Sequence, residues 1–103
     1  MKYLQNITFF IDPRVKDRVV TILRKEVVEV IIKDENITSC NLCEITDGDN
    51  EEASNLALMV WIDTEERCID EILSFLLKEV ELKFADFTKE EILIFPTLMK
   101  VIL

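Results

Sequence analysis

The stretch Ser54-Asn55-Leu56-Ala57-Leu58-Met59-Val60-Trp61-Ile62 is apolar on both of its parities: Leu56, Leu58, Val60 and Ile62 alternate with Ala57, Met59 and Trp61. Successive side chains of a strand point to opposite faces. A strand of this kind needs cover on both sides and belongs inside a sheet. Tyr3 to Ile11 has the same double character, with Ile7, Phe9 and Ile11 on one parity and Leu4 and Phe10 on the other. Asn6 and Thr8 share the parity of Leu4 and Phe10.

The flanking segments read as follows. Asp12-Pro13 is a helix start, because Asp accepts free first-turn amides and Pro suits the first helical position. From Pro13 to Lys33, Val15, Val19, Leu23, Val27 and Ile31 form an i,i+4 row, with Ile22 and Val30 beside it. Val28 and Ile32 then fall on the opposite, water-facing side. Ile37 to Thr46 is a strand of mixed alternation. Asp47-Gly48-Asp49-Asn50-Glu51-Glu52 is an acidic turn, and Asp-Gly is a strong hairpin signal. Asp63 or Thr64 is expected to cap a second helix running to Lys83, with Glu65 and Glu66 favourable at its positive end. Ile69, Ile72, Leu73, Leu76 and Val80 form its buried stripe; Phe75, Cys68 and Leu82 fall outside it. Ile92 to Val101 is the last strand. Pro96 within it cannot donate to a ladder, which suits an edge or a bulge.

The order is βαββαβ over one domain, residues 1–103. Right-handed crossovers put both helices on one face of the sheet. The ferredoxin-like arrangement, an α+β fold with antiparallel strand order 4-1-3-2, then makes strands one and three central and strand four an edge. This matches the two doubly apolar strands and Pro96. One sheet face is roofed by helices; the other carries Phe10, Met59 and Trp61, with Phe95 and Met99. Left bare, such a face exceeds what a monomer normally exposes. A second copy, sheet against sheet, is the expected cover, and a hydrophobic small molecule or a different protein partner are the competing occupants.

Composition narrows the function classes. The chain has 21 acidic and 12 basic residues, a net charge of −9 and no histidine. Phosphate backbones are bound by clustered Lys and Arg, and the basic residues here are scattered among acids. Nucleic acid and anionic membrane surfaces are therefore not expected as partners. No run approaches the length of a membrane span, and the N-terminus lacks a signal-peptide pattern. Three cysteines, an odd number, fit a reducing compartment. A cytoplasmic location is the expectation.

Catalytic motifs are scarce. Without His, no Ser-His-Asp or Cys-His machinery forms within one chain. A single Gly permits no glycine-rich phosphate loop. Cys40 and Cys43 form a CxxC, but on a strand, where positions three apart face opposite ways. With no second ligand pair, redox or zinc chemistry is not expected. Cys68 reads as structural. The turn acids Asp47, Asp49, Glu51 and Glu52 match neither the length nor the order of a calcium loop. No cofactor and no metal are expected. The candidate site is the open-face set Asn6, Thr8, Phe10, Met59, Trp61 and Thr97, in which Trp supplies a large apolar face with one donor and Asn and Thr supply polar handles in an apolar setting.

Three segments resemble a family of small bacterial proteins of similar length known only as a domain of unknown function. They are Asn6 to Asp12, Thr38-Ser39-Cys40-Asn41-Leu42-Cys43, and Phe95-Pro96-Thr97-Leu98-Met99-Lys100-Val101. The resemblance implies a ferredoxin-like fold near the dimeric α/β-barrel group, which pairs sheet to sheet; it implies no known activity. The family's Trp and His of the first helix are replaced here by Val19-Val20-Thr21-Ile22-Leu23-Arg24-Lys25. The leading expectation is a homodimer with a binding or interaction role. The alternative is a cofactor-free enzyme of the dimeric α/β-barrel type acting on a hydrophobic small molecule, which rests on resemblance of fold alone.

Overall fold

The computed structural model describes residues 1–45 and 54–101. The acidic turn, Asp47 to Glu52, lies outside the described residues, and with it the reading of its acids. Four strands, β1 (Lys2–Ile11), β2 (Ile37–Ile45), β3 (Ser54–Asp63) and β4 (Ile92–Val101), form one antiparallel sheet in the order β2-β3-β1-β4. This is the ferredoxin-like order 4-1-3-2 read from its other edge. The two doubly apolar strands are the inner pair, and Pro96 is on an edge strand, as their patterns require.

Register follows from the backbone bonds at the sheet ends. Thr64 N–H donates to the Met1 carbonyl at 3.1 Å and Asp12 N–H to the Glu91 carbonyl at 2.9 Å. Antiparallel pairs alternate between bonded and non-bonded. Odd residues of β1 therefore bond to β3 and even residues to β4. Ile7 and Pro96, opposite each other, are a non-bonded pair. The missing Pro96 donor points to the free edge, where it disturbs no ladder. β2 carries an irregularity between Ile37 and Ser39, and the Thr38 hydroxyl there donates to the Trp61 carbonyl at 3.3 Å.

Residues 13–31 wind continuously but not uniformly. A 3-10 turn (Pro13–Val15) leads into α-helix (Lys16–Ile22), π-helix (Leu23–Val28) and a last α segment (Glu29–Ile31). The Asp12 carboxylate caps the start, accepting from Arg14 N–H at 2.9 Å. The π segment follows from the row of fours. In an α-helix each four-residue step drifts about 40° around the axis, so the three steps from Val19 to Ile31 would drift about 120°. The wider π winding, with i→i+5 bonds, turns less per residue and takes up that drift. Val19, Leu23, Val27 and Ile31 are all fully buried. The same winding corrects two expectations. Val28 packs against the core instead of facing water, and Val30, expected beside the buried row, is exposed. Ile32 is exposed as its position suggested.

The second helix begins later than its capping residues suggested. Asp63 is still the last residue of β3, and the pairing runs one residue past it: Asp63 N–H donates to the Asn36 carbonyl and Thr64 N–H to the Met1 carbonyl. A 3-10 turn (Glu66–Cys68) then opens the α-helix Ile69–Lys83. Ile69, Ile72, Leu76 and Val80 are buried and Leu73 is half-buried; Phe75 and Leu82 face outward. Both helices cover the sheet face formed by Tyr3, Ile7, Phe9 and Ile11 with Leu56, Leu58, Val60 and Ile62. Phe84 closes this core, 5.9 Å from Phe9 and 5.5 Å from Phe87 between ring centroids.

Candidate functional site

The other face of the sheet has no element over it among the described residues. Alternation along β1 puts Leu4, Asn6, Thr8 and Phe10 there, and the register adds the residues opposite them. Four rows cross the face. Ser39, Trp61, Leu4 and Met99 form the first, and Asn41, Met59, Asn6 and Thr97 the second. Cys43, Ala57, Thr8 and Phe95 form the third, and Ile45, Asn55, Phe10 and Leu93 the fourth. All six sequence-selected residues, Asn6, Thr8, Phe10, Met59, Trp61 and Thr97, share this face. They occupy three strands, and Asn6, Met59 and Thr97 lie in a single row.

Exposure divides the face. Phe10 (44%), Leu93 (43%), Phe95 (51%) and Met99 (48%) stand open to solvent. Met59 and Trp61 are half-buried, as are Asn6 and Thr8, while Leu4 and Ala57 are buried. Most of the strongly exposed apolar side chains thus lie on β1 and β4, with Ile45 (40%) on β2 the exception. Leu93 and Ile45 were not selected from the sequence, although their parity with Phe95 and Cys43 was readable.

The polar groups form a band through the middle: Asn41, Asn6 and Thr97 in one row, Thr8 and Cys43 in the next. Among the described residues, Asn6 Oδ1 is the buried side-chain oxygen or nitrogen without a hydrogen-bond partner. Asn6 and Met59 are a non-bonded pair by the alternation above, the arrangement that brings opposing side chains closest. Gln5, next along β1, turns the other way. It is buried under the helices, and its Nε2 donates to the Asn6 carbonyl at 3.3 Å.

The cysteines behave as strand parity demands. Cys40 is buried on the helix side and Cys43 is exposed on the open face. Burial disfavours the thiolate and pushes the Cys40 thiol up to about 11. The two sulfurs face opposite ways and form no dithiol site. Among the described residues, no three His, Cys, Asp or Glu side chains gather as a metal set, and no helix is long and apolar enough to cross a membrane.

Two grooves lie at or beyond the margins of the face. One, of about 440 Å³, runs beside the free edge of β4, lined by Phe84, Phe87, Ile92, Leu93, Ile94 and Phe95 with polar residues at its rim. The second, also about 440 Å³, lies where the second helix meets the start of β2, between Asp34, Glu71, Cys68 and Phe75. Asp34 is engaged locally, its Oδ1 accepting from the Asn36 amide N–H at 2.8 Å and from Asn36 Nδ2 at 3.0 Å.

Solved structures share this architecture. A conserved protein of unknown function from Bacteroides thetaiotaomicron, described as a possible oxidoreductase, superposes with a TM-score of 0.68 at 9% identity over 95% of each chain. A dimeric ferredoxin-like protein from an uncultured marine organism gives 0.68 at 8% identity, over 99% of this chain and 96% of that one. SnoaB, a cofactor-independent oxygenase from Streptomyces nogalater, gives 0.54 at 10% identity, over 100% and 96%. At these identities the likeness is one of fold. No curated protein matches the chain in sequence. A family model does match, over residues 2–102, and the chain accordingly belongs to the family described as Domain of unknown function (DUF4286).

Proposed function

We propose that this protein is a cytoplasmic, single-domain homodimer that pairs through its open sheet face and serves a binding or interaction role. The reading is carried by one observation: Phe10, Leu93, Phe95 and Met99 are all exposed on the same face of a sheet whose other face carries the helices and the buried core. Four strands about 4.8 Å apart and nine or ten residues long at about 3.3 Å each give a face of roughly 600 Å². Two such faces bury roughly 1,200 Å², the lower end of the range for stable interfaces. The face is therefore large enough to hold a second copy, and self-complementary pairing is the common route for a homo-oligomer. The marine structural neighbour described as dimeric supports the same reading. Asn6, Thr8, Phe10, Met59, Trp61 and Thr97 would then form the contact.

The oxygenase among the structural neighbours raises a second reading, a cofactor-free enzyme acting on a hydrophobic small molecule. Between helices and sheet, Phe9, Leu23, Val27, Leu76 and Val80 leave no exposed surface. In this reading the substrate would sit on the open face against its polar band.

Native mass spectrometry of freshly purified protein tests both readings. A dimer without added mass supports the pairing. A dimer with a small-molecule increment that disappears on denaturation supports the second reading. A monomer at micromolar concentration overturns the first.

A further inference from the structure

Large apolar side chains cluster toward both ends of the open face, and the inner strand β1 is polar in the middle, at Asn6 and Thr8. Phe10, Phe95 and Leu93 occupy one end; Trp61, Leu4 and Met99 occupy the other. Apolar contact is non-directional, so these ends alone would let two faces slide over each other. The group able to resist sliding is at the centre. Asn6 is midway along β1, an inner strand, in the row that also carries Asn41 and Thr97. Its Oδ1 is cut off from solvent and receives no hydrogen bond. A desolvated amide oxygen without a donor is a net penalty to the isolated chain. A β-branched apolar residue would suit an inner strand better.

We infer that Asn6 is the residue that fixes the register of the pair, its amide turning outward to bond the partner subunit's Asn6. The inference rests on the pairing proposed above. A two-fold interface sets a patch against itself, so residues at the centre of the patch meet their own copies. A carboxamide holds an acceptor and two donors side by side. Two carboxamides related by a two-fold close a reciprocal pair, each Nδ2–H donating to the other Oδ1. The terminal torsion of Asn is broad, so the amide can turn from its covered position to this one. Sliding by one residue, about 3.3 Å, sets each amide between rows of the facing sheet and out of reach of its copy. Sliding by two one way sets each amide against apolar Leu4; sliding the other way sets it against Thr8, whose single hydroxyl cannot close the reciprocal two-bond pair. Asn6 thus penalises the wrong pairings, as a single buried Asn does in a coiled coil.

Backbone and side-chain amide NMR spectra of the wild type and Asn6→Val, with sedimentation of both, test this. In the wild type, the Asn6 Nδ2 protons, identified by their absence from the variant, should exchange about tenfold more slowly in the dimer than after dilution. The variant should still associate, yet give several sets of open-face resonances or larger species. A wild-type dimer whose Asn6 protons exchange as fast as in the monomer overturns the inference and leaves the pairing intact, and so does a variant dimer with one set of resonances. A wild type that never dimerises overturns the pairing itself. The proton measurement needs only wild-type material to fold.

Discussion

The rings of Phe10 and Phe95 meet edge to face on the open side of the sheet, their centroids 5.4 Å apart and their planes at 82°. They are diagonal neighbours across β1 and β4, since Phe10 is opposite Leu93 and Phe95 opposite Thr8. Diagonal pairs are within reach of aromatic side chains. The contact holds both rings in place while leaving about half of each exposed.

That arrangement makes Phe95 the first substitution to test. Its exposure means that Phe95→Asp removes little from the core of a single chain. In the proposed pair it would desolvate a charge at an aromatic anchor. Loss of a hot-spot aromatic is worth about 2 kcal/mol or more, roughly thirtyfold in dissociation constant. Sedimentation should show a monomer whose helical circular dichroism is unchanged. A Phe95→Asp dimer of wild-type affinity would exclude this face as the contact.

Trp61 is the chain's single tryptophan and lies in the row with Leu4 and Met99 on the same face. Its fluorescence therefore reports pairing without a label. Emission should shift to the red on dilution through the dimer's dissociation range. Full burial of an aromatic would make Trp61→Ala cost about 3–5 kcal/mol. Half-burial in the single chain implies about 2 kcal/mol by denaturant titration, with a separate loss of dimer affinity. Trp61→Phe should keep the dimer.

The cysteines give a pH-dependent test. Cys40 has its thiol raised from an ordinary 9.0 to about 11 by burial. The folded chain holds that proton more tightly than the unfolded one. The contribution is complete below pH 9 and is lost as pH rises from 9 to 11. Stability should fall over that window in the wild type and much less in Cys40→Ala. At pH 8 a thiol reagent should modify Cys43 first and leave Cys40 untouched until the chain unfolds. Dimer formation should slow the reaction of Cys43.

Pro96 is readable as a safeguard. Its absent donor faces the free edge of β4, a strand with exposed Leu93, Phe95, Leu98 and Met99. Unprotected apolar edges recruit further strands. Pro96→Val restores a donor there. It should leave thermal stability within about 1 kcal/mol and increase light scattering or thioflavin binding on incubation. Equal scattering from both proteins would show that the edge is protected otherwise.

The sheet order was legible because two strands carried apolar residues on both parities and a third carried Pro96. The shared face of Asn6, Phe10, Met59, Trp61 and Thr97 was legible for the same reason, parity being a strict geometric rule. Other features depended on competition that the sequence does not display. Asp63 and Thr64 are good capping types, yet β3 runs on through Asp63 and the Thr64 amide still bonds the Met1 carbonyl, so the helical winding starts only at Glu66. Val28 and Val30 exchanged sides because a row of fours is compatible both with a broad α stripe and with π winding, and only packing against the sheet selects between them. Burial of Leu4 beside exposed Phe10 depends on how neighbouring side chains lean, which alternation does not encode.

The π winding in the first helix also means that this element carries one spare residue. Removing solvent-facing Lys25 would leave Val19, Leu23, Val27 and Ile31 separated by four, three and four positions. That spacing keeps an ordinary α-helix on one face. The chain should therefore absorb this deletion by tightening the helix, with stability preserved to within about 1 kcal/mol in a denaturant titration. A segment that reads as continuous helix thus has a built-in allowance for a change of length, and relatives of this fold could gain or lose a residue there without moving the sheet beneath.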